Sequence, residues 1–227
     1  MSIHIFFDLD HTLWDFEANS KATLVELSEE FLAEKKITLE EFFPVYKEIN
    51  AGLWKKWSMN AIDQATLRVS RFSLTLEALQ KPDPALAEIL SHEYLKRSPF
   101  KTQLMPGAIE ILDYLAPNYP LHLITNGFKD AADAKLSSTP LGNYFQEVII
   151  SEVFGMQKPH FSIFEHALQK ANTSVENAWM IGDNLDADVR GPIKAGWKAI
   201  YYNHFQQPKP DDVPLEIHHL LELKNFF

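Results

Sequence analysis

The chain has 227 residues, 46% of them hydrophobic, enough for a buried core and suited to one ordinary domain or a domain carrying a large insertion. Its 21 Lys and Arg against 31 Asp and Glu leave a net charge of -10, which repels nucleic-acid backbone and anionic membrane, so no nucleic-acid polymer and no membrane is expected as a partner. The absence of cysteine excludes disulfides, thiol catalysis and cysteine-ligated zinc. The opening MSIHIFFDLDHTL has no basic region and too short an apolar run for a signal peptide, and no later segment approaches the ~20 apolar residues of a membrane span. The cytoplasm is the expected location.

Ile5 to Phe7 reads as a short strand buried on both faces, ending at Asp8. The pattern then turns helical. Asn19 or Ser20 is the expected cap of KATLVELSEEFLAEKK, and Thr38 with Glu41 forms a capping box opening EEFFPVYKEINAGLWKKW, where Pro44 is expected to kink or delay the helix. Asp63 caps a third helix through Leu79. Asp83 and Pro84 open a fourth that ends near Lys96. Beyond SPFKTQLMPG, helices near Ala108–Leu115, Asp130–Leu136, Phe161–Ala171 and Ala187–Ala195 alternate with the strands LHLIT, EVIIS, AWMIG and KAIYY. Such alternation means parallel strands joined by crossovers. The fold class is therefore α/β: a Rossmann-like parallel-sheet core from residues 1–16 and 98–227, with an all-helical insert at 17–97.

In an open parallel sheet, ligands gather at the carboxyl ends of the strands. Asp8, Asp10 and Thr12 follow the first strand; Thr125, Asn126 and Gly127 end LHLIT; Lys158 follows EVIIS; Asp183, Asp186 and Asp188 follow AWMIG. Singly each has an ordinary reading: solvated carboxylates, a TNG turn, a surface lysine, acidic residues favouring a helix start. Together, five carboxylates aimed at one end of one sheet would repel unless cations compensated them. Oxygen donors without cysteine suit a hard ion, Mg2+ better than Ca2+. Asp8 can then attack phosphorus while Asp10 carries a proton, Thr125 and the main-chain amides of Asn126 and Gly127 hold phosphoryl oxygens, and Lys158 absorbs charge in the transition state. His11 falls where side-chain alternation points away from the carboxylates, and neither it, His218 nor His219 receives a role.

DLDHT, ITNG, QKP and GDNLDAD, in that order and with a helical insert after the first, resemble the four motifs of the haloacid dehalogenase superfamily of phosphohydrolases. The resemblance spans the whole chain. It implies Asp8 as phosphorylated nucleophile, Asp10 as general acid and base, Thr12 as support for that loop, and Thr125, Asn126 and Lys158 on phosphate. Magnesium would be held by Asp8, the main-chain carbonyl of Asp10 and Asp183, with Asp188 in the outer shell. The insert would be the family's mobile cap. TNGFKDAADAKL, NYFQEVIISEVFGMQKPHFSIFEHAL and the LW of the insert are similar to the bacterial branch that includes pyrimidine 5'-nucleotidases, implying a nucleoside monophosphate or a related small phosphorylated metabolite as substrate. In the cap, Asn50, Trp54, Trp57, Arg68 and Arg71 are candidates for choosing it, although Trp54 and Trp57, at helical spacing, read first as cap core.

Rival readings are a receiver-type phospho-aspartate signalling module, against which the second acid Asp10 and the insert argue, and two enzymes of the same fold. A 2-haloacid dehalogenase needs neither Asp10 nor a metal. A phosphoglucomutase keeps both acids and is separated only by its cap. Oligomeric state is left open by the sequence.

Overall fold

The computed structural model describes residues 2–227. Strand β1 (His4–Phe7) leads into helices α1 (Phe16–Leu27), α2 (Leu39–Ser58), α3 (Gln64–Ala78) and α4 (Pro84–Arg97). Then come α5 (Ala108–Leu115), β2 (Leu121–Thr125), α6 (Lys129–Ser138), β3 (Glu147–Ile150), α7 (Ser151–Phe154), α8 (Phe161–Lys170), β4 (Ala178–Gly182), α9 (Gly191–Lys194), β5 (Lys198–Tyr202) and β6 (Glu216–Ile217). They form two compact units: Thr102–Phe227 together with the N-terminal segment through Phe16, and Glu17–Lys101.

The first unit is a six-stranded sheet in the order β3-β2-β1-β4-β5-β6, with every neighbouring pair parallel. Alternation along β1 builds both faces. Ile5 and Phe7 join Leu121 and Leu123 against Ile111, Leu112 and Leu115 of α5, whereas Phe6 joins Ile124 and Met180 against Ile163, Phe164 and Ala167 of α8. Burial on both sides explains why these strands read as continuous apolar runs. The order reverses between β1 and β4, and in open parallel sheets ligands gather beyond the carboxyl ends of the strands at such a switch point.

The helical unit packs Leu24 and Leu27 of α1, Phe42 and Tyr46 of α2, Phe72 and Leu76 of α3 and Leu90 and Tyr94 of α4 into one core. Its caps follow the sequence signals. Thr38 and Glu41 form the capping box of α2, Asp63 accepts from Thr66 N at 2.7 Å, and Asp83 accepts from Leu86 N at 3.0 Å with Pro84 in the first turn.

Several local expectations are corrected. Helix α1 begins at Phe16, so Asn19 and Ser20 lie inside it and are buried, with Ser20 accepting from the Tyr94 hydroxyl at 2.9 Å; packing overrides their preference for caps. The helix then passes through a π-helical stretch, Ser28–Leu32, and a 3-10 turn rather than running on regularly. Pro44 does not delay α2, which starts at Leu39 and continues through it. Trp54 and Trp57 are half-buried and outside the core cluster, because the buried stripe of α2 runs Phe42, Tyr46, Asn50, Leu53 and they flank it. Ser151 opens the one-turn helix α7 instead of ending a strand.

Candidate active site

The first strand delivers its carboxylate directly to the switch point of the sheet. Asp8 continues the pairing of β1 with β4, its N–H donating to Ile181 O at 2.9 Å. The chain then folds tightly: the N–H groups of Leu13 and Trp14 both donate to Leu9 O, and that of His11 donates to Trp14 O. This loop carries Asp10 and Thr12 back beside β1. Thr12, fully buried, donates through its hydroxyl to Asp183 Oδ1 at 3.4 Å.

Lys158 is the electrostatic centre. It is 1% exposed, and its Nζ donates to Asp8 Oδ1 at 2.6 Å, Asp188 Oδ1 at 2.7 Å and Ile124 O at 2.7 Å. Its backbone is fixed by Asn126, whose Oδ1 accepts from Lys158 N at 2.9 Å and whose Nδ2 donates to Lys158 O at 2.8 Å. The side chain of Asn126 thus fastens the lysine loop, which leaves the phosphate contact expected of this residue to its main-chain amide or its second Nδ2 hydrogen. Thr125 is buried at the end of β2 and accepts from Gly127 N at 2.9 Å, which leaves its hydroxyl hydrogen free to be donated.

The turn after β4 is built around Asp188. Its Oδ2 accepts from Asn184 N at 3.0 Å, while Asn184 Oδ1 caps the following turn by accepting from Asp186 N and Ala187 N. With both oxygens of Asp188 engaged, the carboxylate is oriented rather than mobile. It comes so close to β4 that a Cβ on Gly182 would sit 2.4 Å from Asp188 Oδ2, so glycine is required there. Asp186 turns away and pairs with Arg190 at 2.9 Å.

Asp8, Asp183 and Asp188 place one carboxylate oxygen each within 4.8 Å of the others. Burial, only partly offset by Lys158, pushes the Asp8 carboxyl up to about 7. Burial, reinforced by the charges of Asp8 and Asp188, raises Asp183 well above the usual carboxylate range. Burial alone would lower Lys158, but Asp188 and Asp8 outweigh it and hold the ammonium at about 12. Three carboxylates against one ammonium leave uncompensated negative charge. An all-oxygen donor set of this kind fits a hard divalent cation, which would relieve it.

Asp10 sits in a different setting. Lys135 of α6, itself buried, donates from Nζ to Asp10 Oδ1 at 2.5 Å and lies over the Trp14 ring at 4.2 Å. Sequence reasoning missed Lys135. Its signal was weak, a single lysine in the polar run KDAADAKLSS, and only the third dimension brings it to Asp10.

A profile of the family described as haloacid dehalogenase-like hydrolase matches residues 4–196. The chain belongs to the haloacid dehalogenase-like hydrolase family. It is accordingly a hydrolase, and its similarity to other members runs nearly end to end. It is 30% identical to the pyrimidine 5'-nucleotidase YjjG of Escherichia coli over 92% of this chain and 89% of that one. It is 34% identical to the pyrimidine 5'-nucleotidase PynA of Streptococcus pneumoniae over 88% and 83%. Among solved structures, that of the HAD-hydrolase YfnB of Bacillus subtilis bound to magnesium superposes with a TM-score of 0.88 at 27% identity, covering 100% of this chain and 99% of that one. No helix among the described residues of this family member is long and apolar enough to cross a membrane.

Proposed function

We propose that this hydrolase is a magnesium-dependent phosphatase that cleaves a small phosphate monoester, a nucleoside 5'-monophosphate, by way of a phosphate carried on Asp8. The observation that carries the reading is the contrast between two neighbouring carboxylates, Asp8 buried against Lys158 and Asp10 more exposed against Lys135. Paired carboxylates in unlike surroundings take unlike roles.

A carboxylate oxygen of Asp8 forms a bond to phosphorus as the bond from phosphorus to the ester oxygen breaks. Asp10, with Oδ1 held by Lys135, gives its proton from Oδ2 to the leaving oxygen. Asp10 then takes a proton from water; the water oxygen attacks phosphorus, the bond to Asp8 breaks, and inorganic phosphate leaves with the Asp8 carboxylate restored. Throughout, Lys158 holds Asp8 in place and offers positive charge to the phosphoryl oxygens, and the Thr125 hydroxyl donates to one of them. Mg2+, held by Asp8, the main-chain carbonyl of Asp10 and Asp183, with Asp188 outside them, would supply further positive charge to the same oxygens. A dehalogenase would have no use for the Lys135-held acid.

The two pyrimidine 5'-nucleotidases among the relatives support a nucleotide substrate. Choice of base is assigned to the helical cap, with Asn50, Trp54, Arg68 and Arg71 as its selecting residues. Asn50 and Arg71 are buried in the helical unit, where Arg71 lies over the Tyr94 ring at 4.3 Å and where Asn50 Oδ1 and Arg71 Nη2 have no hydrogen-bond partner. The test is phosphate release, reported as kcat/KM with and without Mg2+, from pyrimidine and purine monophosphates and from sugar phosphates. Pyrimidine monophosphates should lead. Absence of Mg2+-dependent release from every substrate would refute the phosphatase reading.

A further inference from the structure

Beside the oxygen cluster lies a second group of metal-binding donors. A ring nitrogen of His11, a carboxylate oxygen of Asp183 and a ring nitrogen of His204 all fall within 4.8 Å of one another. They come from beyond the carboxyl ends of β1, β4 and β5, three consecutive strands of the sheet. His11 reaches this position because its backbone adopts a left-handed conformation, φ 64°, uncommon for a residue with a side chain. That twist breaks the alternation that would have turned its ring away from the aspartates. His204 follows Asn203, which is buried and anchors the turn: its Nδ2 donates to Gln207 O at 2.7 Å and its Oδ1 accepts from Gln207 N at 3.0 Å. Rings frame both imidazoles, Phe16 at 4.9 Å from His11 and Tyr202 at 5.2 Å from His204, with Phe205 reaching both.

We propose that His11, Asp183 and His204 form a second divalent-cation site that takes a borderline transition metal such as Zn2+ or Co2+. Two imidazoles and one carboxylate favour these ions, whereas the all-oxygen group of Asp8, Asp183 and Asp188 favours Mg2+. Three protein donors leave a coordination position for water. Bond lengths of ~2.0–2.1 Å around a tetrahedral ion put donors about 3.3 Å apart, so small side-chain rotations close the present separation. Asp183 belongs to both groups. An ion held by the histidines therefore engages a carboxylate that the proposed phosphatase chemistry also uses, and only this consequence rests on the phosphatase reading.

The test is Co2+ titration of the full chain without Mg2+ or substrate, followed by visible absorption and calorimetry, so that failure of the phosphatase reading leaves its outcome untouched. The expected result is one Co2+ per chain with absorption stronger than that of six-coordinate, all-oxygen Co2+, and at least tenfold weaker binding in both His204→Gln and His11→Asn. Asn tolerates the left-handed backbone at position 11, and circular dichroism shows whether each variant is folded. Unchanged Co2+ affinity and spectrum in the two folded variants would overturn the proposal, since the ion would then be held by carboxylates alone.

Discussion

Replacing Lys158 with Met keeps an unbranched side chain one atom shorter and removes its charge. The wild-type ammonium is 1% exposed and satisfies Asp8, Asp188 and the Ile124 carbonyl at 2.6–2.7 Å. Breaking a buried pair by removing one partner costs about 3–5 kcal/mol, because the charge left behind has neither water nor a counter-ion. That is a large share of the ~5–15 kcal/mol that holds a typical domain folded. The loss must depend on pH. Asp8 is already raised from 3.8 to about 7, by burial first and despite Lys158, and without the ammonium it rises further. A carboxyl raised in the fold contributes stability that is fully present below its unfolded value and is lost as pH rises through the folded one. At pH 5 the Asp8 carboxyl, raised to about 7, is already protonated in the wild type as it is in the variant, so its share of the difference largely vanishes. Urea unfolding in EDTA should therefore show a deficit of about 3–5 kcal/mol for Lys158→Met at pH 8 and about half that or less at pH 5. An equal deficit at both pH values, or less than about 1 kcal/mol at pH 8, would refute this electrostatic account.

Three further outcomes follow from the same geometry. Saturating Mg2+ should raise the melting temperature more at pH 8 than at pH 5, since Asp8 and Asp183 compete with protons for the ion; equal shifts would argue against carboxylate ligation. Gly182→Ala should displace Asp188, because the new Cβ would stand 2.4 Å from its Oδ2, and lower kcat with the sheet intact by circular dichroism; unchanged kcat would show that Asp188 need not hold its place. His122 is stacked on His4, with Nε2 at 3.0 Å from His4 Nδ1, and burial together with the His4 charge lowers it from 6.5 to about 4. It is neutral in the fold but charges readily when unfolded, so its stabilising share is present above pH 6.5 and lost as pH falls towards 4. Relative to His122→Phe, the wild type should lose about 3 kcal/mol over that range, and parallel stability curves would contradict this.

The sequence was most informative where chemistry and topology coincide. Apolar runs ending in Asp8, Thr125 and Asp183 identify strand ends, and the rule that ligands gather there predicts one site from residues more than a hundred positions apart. What escaped was decided by local backbone or by long-range packing. The left-handed turn at His11 is invisible to a rule of alternation, so its approach to Asp183 and His204 could not be read. Lys135 looks like any helix-surface lysine until α6 is laid beside the loop of Asp10. Asn126 was expected at the phosphate, and its other task, holding both sides of the Lys158 peptide through its side-chain amide, shows only once the lysine loop lies beside the end of β2. In the helical unit, Trp54 and Trp57 had the spacing of a core and lost it to the stripe through Phe42, Tyr46 and Leu53.

The central claim is that Asp8 carries the phosphoryl group in each cycle, and Asp10→Asn is the variant that exposes it. Without the proton carrier, kcat should fall by about 10²–10⁴-fold and the phosphorylated chain should accumulate. Quenching that variant during turnover of a phosphate ester and reducing it with borohydride converts an acyl phosphate to homoserine, which peptide mass spectrometry locates. The account predicts homoserine at position 8 and nowhere else; turnover with an unmodified Asp8, or with the label on another residue, would contradict it.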